Sequence, residues 1–358
     1  MFNKLINMKM ECVSMITIKE IAKESGYGVG TVSRVLNNSE HVSEKARKAI
    51  MDVVKKYNFE PNPNAKNLKS QTKYGIVLIV KGTQNMLFES IVELMQTEIV
   101  KNGHACVVDY IDQDENEVEE ARKVCNNQKP YGIAFLGSNL EYFEKNFENL
   151  DLPCVIVTNG ASELNIANLS SVAVDDVSAA SRIVNYLYDK GHRHIGVIGG
   201  DPNISHPSSL RLLGFESAMR KKHLEFDMTR QYSYARFSLE GGYQATKDLL
   251  KKNGDITAIF AMSDMMAMGA LRALKDMDIK VPQDMSVIGY DGTDIANFCI
   301  PRITTVWQNT EKLAKRSVEI LLGGIKADEK GENYAVHEIV PYVIKEGSSV
   351  GEVKLKKK

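Results

Sequence analysis

Four positions between residues 29 and 34 could face the edges of DNA bases. Val29 can touch a thymine methyl group, and the Arg34 guanidinium suits the O6 and N7 atoms of guanine. Ser33 adds a hydroxyl group, whereas Gly30 offers no side chain. These positions predict a base-reading surface, provided that one helix holds all four.

Two short helices joined by a turn would position these side chains. Thr17 and Glu20 stand three residues apart, the spacing at which a hydroxyl and a carboxylate cap a helix that begins between them. Gly26 can adopt the positive φ that closes this helix, and Gly28 can serve as N-cap of a second helix, Val29–Leu36. In a helix-turn-helix this second helix enters the major groove. The spacing alone would also fit an ordinary pair of helices.

Three linked stretches, TVSRVLN, HVSEKARKAI and YNFEPNPNAKNLKS, strongly resemble the DNA-binding headpiece of the LacI/GalR family of bacterial regulators. The resemblance implies that Arg34 reads a base and that Val29 and Gly30 tune the choice of operator, with weak readout where Gly30 lies. It also implies contacts with the DNA backbone for Thr31, Ser33, Asn37 and His41, and Thr17 is expected to contact DNA as well.

The segment NAKNL, residues 64–68, is similar to the hinge helix of that family, which orders on operator DNA and inserts a leucine into the minor groove. Leu68 is therefore the expected intercalating residue, and Ala65 is expected to contact DNA. Pro61 and Pro63 suit a stiff connector that leads into the hinge. The alternative for Leu68 is an ordinary apolar linker residue.

Basic charge is concentrated where DNA would lie. Residues 15–73 contain eleven Lys and Arg against six Asp and Glu, a local balance of +5, whereas the whole chain has a net charge of −1. Such a segment attracts phosphates. A basic helix face is often only solvated surface, so charge supports the DNA-binding interpretation without deciding it.

The remaining residues alternate between short apolar runs and amphipathic segments, which predicts strand-helix-strand units in parallel sheets. The expected fold class is α/β: an all-α helix-turn-helix headpiece followed by a two-lobed core of doubly wound parallel sheets. Expected strands are 73–80, 104–110, 131–137, 153–159, 194–200, 256–262 and 284–291. Expected helices are 87–101, 115–127, 140–148, 176–189, 210–222, 239–251 and 265–275.

This body resembles the effector-binding core of the same family, a fold shared with periplasmic sugar-binding proteins. The matching segments include YLYDKGHRHIGVIGG, SLRLLGFESAM, TAIFAMSDMMAMGALRAL and VPQDMSVIGYDG. The resemblance implies three crossings between lobes. It divides the chain into a disordered extension or upstream start (1–14), headpiece (15–62), hinge (63–72), first lobe (73–172 and 303–334), second lobe (173–302 and 335–345) and a polar basic tail (346–358).

Ligands of open parallel sheets bind beyond the carboxyl ends of the strands, which here means the cleft between the lobes. By resemblance, Arg211 and Asp291 hold effector hydroxyls or carboxylates, and Phe237 offers a stacking face. The same resemblance adds Phe88 at the cleft mouth and Asp264 nearby. Asn159 stands beside the position where family members often carry an aspartate, so one first-lobe partner of the effector is changed.

Structural roles are the alternatives for these residues, since Asp264 could cap the helix that follows it and Arg211 could pair with a carboxylate of its lobe. The effector itself stays open among a hexose, a pentose, a disaccharide, a phosphosugar, a nucleobase and a partner protein. A carbohydrate is preferred because most of the family responds to one.

Catalysis has little support. The seven His and five Cys form no CxxC, HExxH or hydrolase elbow, so we expect no metal, and IGVIGGD lacks the GxGxxG of dinucleotide sites, so we expect no cofactor. Scattered cysteines suit a reducing cytoplasm, and no segment approaches a membrane span. The rival classes are a solute-binding module and a sugar-modifying enzyme, both of which leave the headpiece unexplained.

The predicted function is a transcriptional repressor that binds double-stranded operator DNA as a homodimer. Two headpieces would read the half-sites of a near-palindrome, and effector closure of the cleft would change the separation of the hinges. No apolar heptad follows the core, so a tetramer is not expected. Induction and corepression stay open.

Overall fold

The computed structural model describes residues 18–36, 42–57, 75–82 and 85–353. The chain divides into two compact units, Met1–Thr72 and Lys73–Lys358. The predicted N-terminal extension and hinge lie outside the described residues, as do five predicted DNA contacts, namely Thr17, Asn37, His41, Ala65 and Leu68.

The described part of the first unit contains three helices: α1 Ile18–Ser25, α2 Val29–Leu36 and α3 Glu44–Lys56. The bounds predicted for the first two are confirmed. Gly26 has φ +76°, as the predicted turn requires. The Ser43 hydroxyl caps α3 by accepting from the Ala46 N–H. The helices enclose a small core of Ile21, Ala22, Val32, Val35 and Ile50.

The first lobe of the second unit begins with five strands and three helices. They are β1 Ile76–Lys81, α4 Met86–Lys101, β2 Cys106–Ile111, α5 Glu117–Gln128, β3 Gly132–Leu136, α6 Leu140–Asn146, β4 Cys154–Thr158 and β5 Leu169–Ala173. Strands β1, β3, β4 and β5 are buried at every position, because helices cover both faces of the sheet.

The second lobe repeats this alternation. Its elements are α7 Asp176–Asp189, β6 Ile195–Gly199, α8 His206–Lys221, α9 Met228–Gln231, β7 Tyr232–Tyr234, α10 Leu239–Lys252, β8 Ala258–Ala261, α11 Asp264–Asp276, β9 Ser286–Asp291, α12 Asp294–Phe298 and β10 Thr304–Gln308. Helix α8 begins four residues earlier than the predicted 210, because Ser205 caps it and Pro207 fits its first turn.

The two sheets have the same strand order, which confirms the predicted fold class. The last helix and strands described are α13 Thr310–Asp328, β11 His337–Ile339 and β12 Tyr342–Lys345. The first sheet runs β2-β1-β3-β4-β5-β11 and the second β7-β6-β8-β9-β10-β12. All pairs are parallel except β10 with β12. In both sheets the order reverses beside the first strand, which is where doubly wound folds bind ligands.

The later crossings between lobes differ from the predicted boundaries. We expected 303–334 in the first lobe, but β10 pairs with β9 and β12, so its backbone groups are satisfied within the second sheet. Of the elements in this range, only α13 packs on the first lobe, where Leu313, Val318 and Leu321 are buried in the core. We also expected 335–345 in the second lobe, but β11 pairs with β5 of the first sheet, and only β12 joins the second.

The segment that we expected to be a polar tail from residue 346 packs against the second lobe as far as Val353. The Ser349 hydroxyl donates to the Val287 carbonyl at 2.6 Å and accepts from the Thr304 N–H at 2.8 Å, and Ser349 is fully buried. The Val353 N–H donates to the Lys190 carbonyl. These bonds make residues 346–353 part of the lobe.

Candidate functional site

The helix α2 presents the predicted base-reading positions on its surface. Val29, Gly30 and Arg34 are exposed, and Ser33 is half-buried, whereas Val32 and Val35 of the opposite face are buried in the headpiece core. Thr31, a predicted backbone contact, is half-buried. The 3.6-residue period therefore puts the four base-reading positions on one face.

The second candidate site is a cavity of about 770 Å³ between the lobes of the core, at the carboxyl ends of both sheets. It is lined from the first lobe by the loops after β1, β2, β3 and β4, and from the second by the loops after β6, β7 and β9. Five of the six predicted effector residues line it: Phe88, Asn159, Arg211, Phe237 and Asp291.

Arg211 is fixed by three neighbours at the floor of the cavity. Its Nε donates to Asp176 Oδ1 at 2.9 Å and its Nη1 donates to the Met262 carbonyl at 2.6 Å. The guanidinium also stacks 3.7 Å from the centre of the Tyr290 ring, whose hydroxyl donates to the same Asp176 oxygen. Burial, the largest single effect, lowers the pKa of Arg211, but Asp176, Tyr290 and Asp291 together raise this pKa by more. Arg211 therefore stays a cation.

Asp291 ends β9 with the unusual φ of +112° and is 6% exposed. The fully buried Gln308, last residue of β10, donates from Nε2 to Asp291 Oδ1 at 2.9 Å. Burial raises the pKa of Asp291 well above its usual range, although Arg211 favours the carboxylate. A strained backbone held by a buried amide is typical of a functional position.

Asp264 does not line the cavity, which corrects our expectation. Its Oδ2 accepts from the Thr293 N–H at 2.7 Å and its Oδ1 accepts from the Thr305 hydroxyl at 2.6 Å. The side chain therefore joins α11 to the loop after β9 and to β10. The helix cap is the neighbouring Ser263, which accepts from the Met266 N–H. Burial raises the pKa of Asp264 to about 6, and the Thr305 hydrogen bond opposes this rise.

The first-lobe wall contains a buried ion pair that the sequence did not suggest. Lys81, at the end of β1, places its Nζ 2.8 Å from Glu117 Oε2, and the two side chains are 6% and 1% exposed. The other Glu117 oxygen accepts from the Asn139 N–H at 2.6 Å. Lys81 also lies 5.2 Å from the centre of the Tyr142 ring. Lys81, Asn139 and Tyr142 line the cavity.

Two buried neutral polar groups in residues that line the cavity have no hydrogen-bond partner among the described residues. They are Asn159 Oδ1 and Ser138 Oγ, both buried and both in residues that line the cavity. Asn159 Nδ2 donates to the Ser138 carbonyl at 2.7 Å, which directs the amide. Buried polar atoms nearly always have partners, so these two are suited to a ligand.

Aromatic rings from both lobes line the cavity. Phe88 and Tyr142 come from the first lobe, and Tyr234 and Phe237 from the second. Gly137, with φ +83°, lies where a Cβ atom would stand 2.8 Å from the Phe88 ring, so its lack of a side chain leaves room for that ring. Aromatic faces together with a few polar groups suit a sugar ring, which has one apolar and several polar edges.

One ion pair spans the cavity from lobe to lobe. Arg236, after β7, contacts Asp114, after β2, and both side chains are exposed. Each residue also lines the cavity.

Five residues at or behind the cavity were not predicted from the sequence: Lys81, Glu117, Asp176, Ser138 and Gln308. Lys81 and Gln308 end strands of the parallel sheets, and Ser138 stands two residues after β3, so the ends of the strands are the signal that could have revealed all three. Glu117 and Asp176 are the first residues of α5 and α7, where an acidic residue is ordinary, and only the fold shows their cationic partners.

Within the described ranges no group of three or more His, Cys, Asp and Glu could hold a metal ion. No helix of this part of the chain is long and apolar enough to cross a bilayer.

Residues 17–62 match the family model described as bacterial regulatory proteins, lacI family. Residues 184–350 match the model of a periplasmic binding protein-like domain. The regulator MalR of Clostridium butyricum is 34% identical over 321 residues, which cover 89% of this chain and 95% of MalR. The transcriptional repressor CytR of Escherichia coli K12 is 30% identical, covering 88% and 91%.

Two solved structures resemble this chain over most of its length. The complex of the transcriptional regulator CelR with cellobiose has a TM-score of 0.67 at 25% identity and covers 93% of this chain and 99% of CelR. The lac repressor dimer bound to operator and the anti-inducer ONPF has the same TM-score at 23% identity, covering 94% and 100%, which shows the shared fold. The chain belongs to the lacI family and is a DNA-binding transcriptional regulator, not an enzyme.

Proposed function

We propose that this regulator is a repressor whose operator affinity is controlled by a carbohydrate effector bound between the lobes of its core. The observation that carries the proposal is the cavity of about 770 Å³, in which Arg211, Asp291 and aromatic rings of both lobes face one space. CytR, a relative, is a repressor, and CelR, a structural neighbour, binds cellobiose. Both likenesses support the proposal.

The contacts that we propose follow the chemistry of each surface. On DNA, Arg34 reads a guanine and Val29 contacts a neighbouring base, while Thr31 and Ser33 contact the backbone. In the cleft, Arg211 and Asp291 bind hydroxyl groups, Asn159 accepts from a further hydroxyl, and rings such as Phe88 and Phe237 stack on the sugar. The protein acts in the cytoplasm, where its operator DNA lies.

We further propose that the protein is a homodimer. Phe298 and Ile300 are 85% and 95% exposed, and large apolar residues at the surface are those that a second copy covers. Analytical ultracentrifugation is expected to give twice the chain mass of 39.9 kDa. A mass equal to one chain at micromolar concentration would refute the dimer.

Fluorescence anisotropy with the purified protein tests the proposed function. Labelled DNA from its own promoter region and unrelated DNA of equal length are titrated at fixed salt, with and without a panel of sugars. We expect selective binding to the promoter DNA and a change in that affinity with one sugar. Equal affinity for both DNAs would overturn operator recognition, whereas selective binding that no sugar of the panel alters would overturn control by these carbohydrates.

A further inference from the structure

The cations that line the effector cleft are already neutralised. Lys81 pairs with Glu117, Arg211 with Asp176, and Arg236 with Asp114. The first two pairs are almost fully buried, so solvent and salt do little to screen the charges within them. An incoming anion would have to compete with a carboxylate that already occupies each cation.

Carboxylates outnumber cations around this space. Three of them line the cavity, namely Asp114, Asp201 and Asp291, and Glu117 and Asp176 stand directly behind Lys81 and Arg211. Burial raises the pKa of Asp291, and without this group the site still has four carboxylates against three cations. A phosphate group would enter a region without excess positive charge and would lose its hydration there.

Neutral donors occupy one oxygen of Asp201 and one of Asp291, the two lining carboxylates that take no part in the three ion pairs. Asp201 accepts from the Asn203 N–H and Nδ2 at 2.9 Å, and Asp291 accepts from Gln308. Among the described residues, the buried polar atoms of the cavity lining that have no hydrogen-bond partner are Ser138 Oγ and Asn159 Oδ1, both uncharged. A hydroxyl can donate to either atom, whereas a phosphate dianion has no proton to offer the Asn159 oxygen.

We propose that the cleft selects an uncharged, polyhydroxylated effector and discriminates against its phosphorylated counterpart, and that Glu117 and Asp176 determine this specificity by neutralising Lys81 and Arg211. This inference rests on the proposed function and narrows it to free sugars. Neither carboxylate needs to touch the effector. Each carboxylate neutralises a cation that would otherwise attract the phosphate of a phosphosugar.

Isothermal titration calorimetry of the full-length protein tests the selectivity. The probes are glucose, maltose and cellobiose, each paired with its 6-phosphate. We expect a free sugar to bind and its 6-phosphate to bind at least about tenfold more weakly. A 6-phosphate that binds as tightly as its free sugar, or more tightly, would overturn the inference while leaving a sugar-controlled regulator standing. Failure of both series to bind, with operator binding retained, would overturn effector control by sugars and the inference with it.

The variant Glu117→Gln tests whether Glu117 determines the selectivity against phosphosugars. Removing its negative charge leaves Lys81 unneutralised, so the ratio between the dissociation constants for the 6-phosphate and the free sugar should fall severalfold. The matched control is Glu119→Gln, since Glu119 is exposed on the same helix and undergoes the same chemical change. An unchanged ratio in folded Glu117→Gln would remove Glu117 from the assignment. If this variant does not fold, the wild-type comparison still decides the selectivity.

Discussion

At the scale of single residues, Arg34 carries the DNA-reading prediction. The side chain is exposed on α2 and lies opposite the buried face, so replacing it leaves the headpiece core intact. Arg34→Ala is expected to cost about 1–3 kcal/mol of operator discrimination, because a bidentate contact to guanine is lost. Anisotropy titrations on operator and unrelated DNA at fixed salt measure this difference, and thermal melting checks the fold. Parent and variant with equal discrimination would show that Arg34 reads no base.

The buried Asp264 is expected to make the stability of the folded protein depend on pH. Burial raises the pKa of Asp264 to about 6 in the folded protein, above its ordinary 3.8, so the folded state binds this proton more tightly than the unfolded state. The stability of the folded form therefore falls as the pH rises from about 4 to 6. In Asp264→Asn this contribution is absent, so urea unfolding should show the variant gaining stability relative to wild type across that window.

The exposed Asp255, changed to Asn, is the control for this experiment. Its stability difference from wild type is expected to stay constant over the same pH range. A difference between Asp264→Asn and wild type that is equally flat from pH 4 to 7 would contradict the raised pKa.

Residue types at family-like positions predicted much of the candidate site, but not the neighbours of those residues. Arg211 and Asp291 were found because their motifs resemble those of the family. We expected Asp264 near the effector, but its two carboxylate oxygens accept hydrogen bonds from Thr293 and Thr305. These hydrogen bonds form only when distant segments meet on folding, because Asp264 and Thr305 lie 41 residues apart in the sequence.

At the scale of elements, close helix packing in the second lobe depends on glycine. A Cβ atom on Gly269 of α11 would stand 2.1 Å from the Leu239 carbonyl oxygen and 2.7 Å from the Tyr243 nitrogen of α10. Both are backbone atoms, so relief requires the helices to separate. Gly269→Ala is therefore expected to lower the free energy of unfolding by about 1–3 kcal/mol, the usual cost of overpacking.

Gly254→Ala is the matched control, because nothing lies within 4 Å of a Cβ atom at Gly254. Urea unfolding of the two variants beside wild type measures the contrast. Equal stability of the two variants would mean that α10 and α11 are not in this close contact.

Periodicity predicted the repeated elements well because each is a local pattern, but it could not say which sheet a terminal strand would join. Strand β10 is five residues long, and its place beside β9 is set by pairing with residues Ile288 to Asp291. Strands β11 and β12 are separated by two residues yet belong to different sheets. Short strands of this kind have no periodic pattern long enough to reveal a partner.

At the scale of the whole core, the Asp114–Arg236 pair is the contact that we expect to favour the closed cleft. It joins loops of different lobes at the cavity mouth. Arg236→Glu puts two like charges there and should weaken effector binding a few-fold, an effect that shrinks at high salt because both side chains are exposed. Since effector binding and operator binding are reciprocally linked, more effector should then be needed for the same change in operator affinity.

Reversing the pair separates this effect from simple loss of a side chain. The double variant Asp114→Arg with Arg236→Glu restores opposite charges across the mouth and is expected to recover most of the lost effector affinity, as a double-mutant cycle would register. Arg220→Glu, an exposed change of the same charge away from the cavity, should leave the effector titration unchanged. Operator affinity at saturating effector should match wild type in all three variants, because enough effector closes even a destabilised cleft. The cycle also needs Asp114→Arg as a single variant, and additive effects of the two single changes would show that the pair does not hold the lobes together.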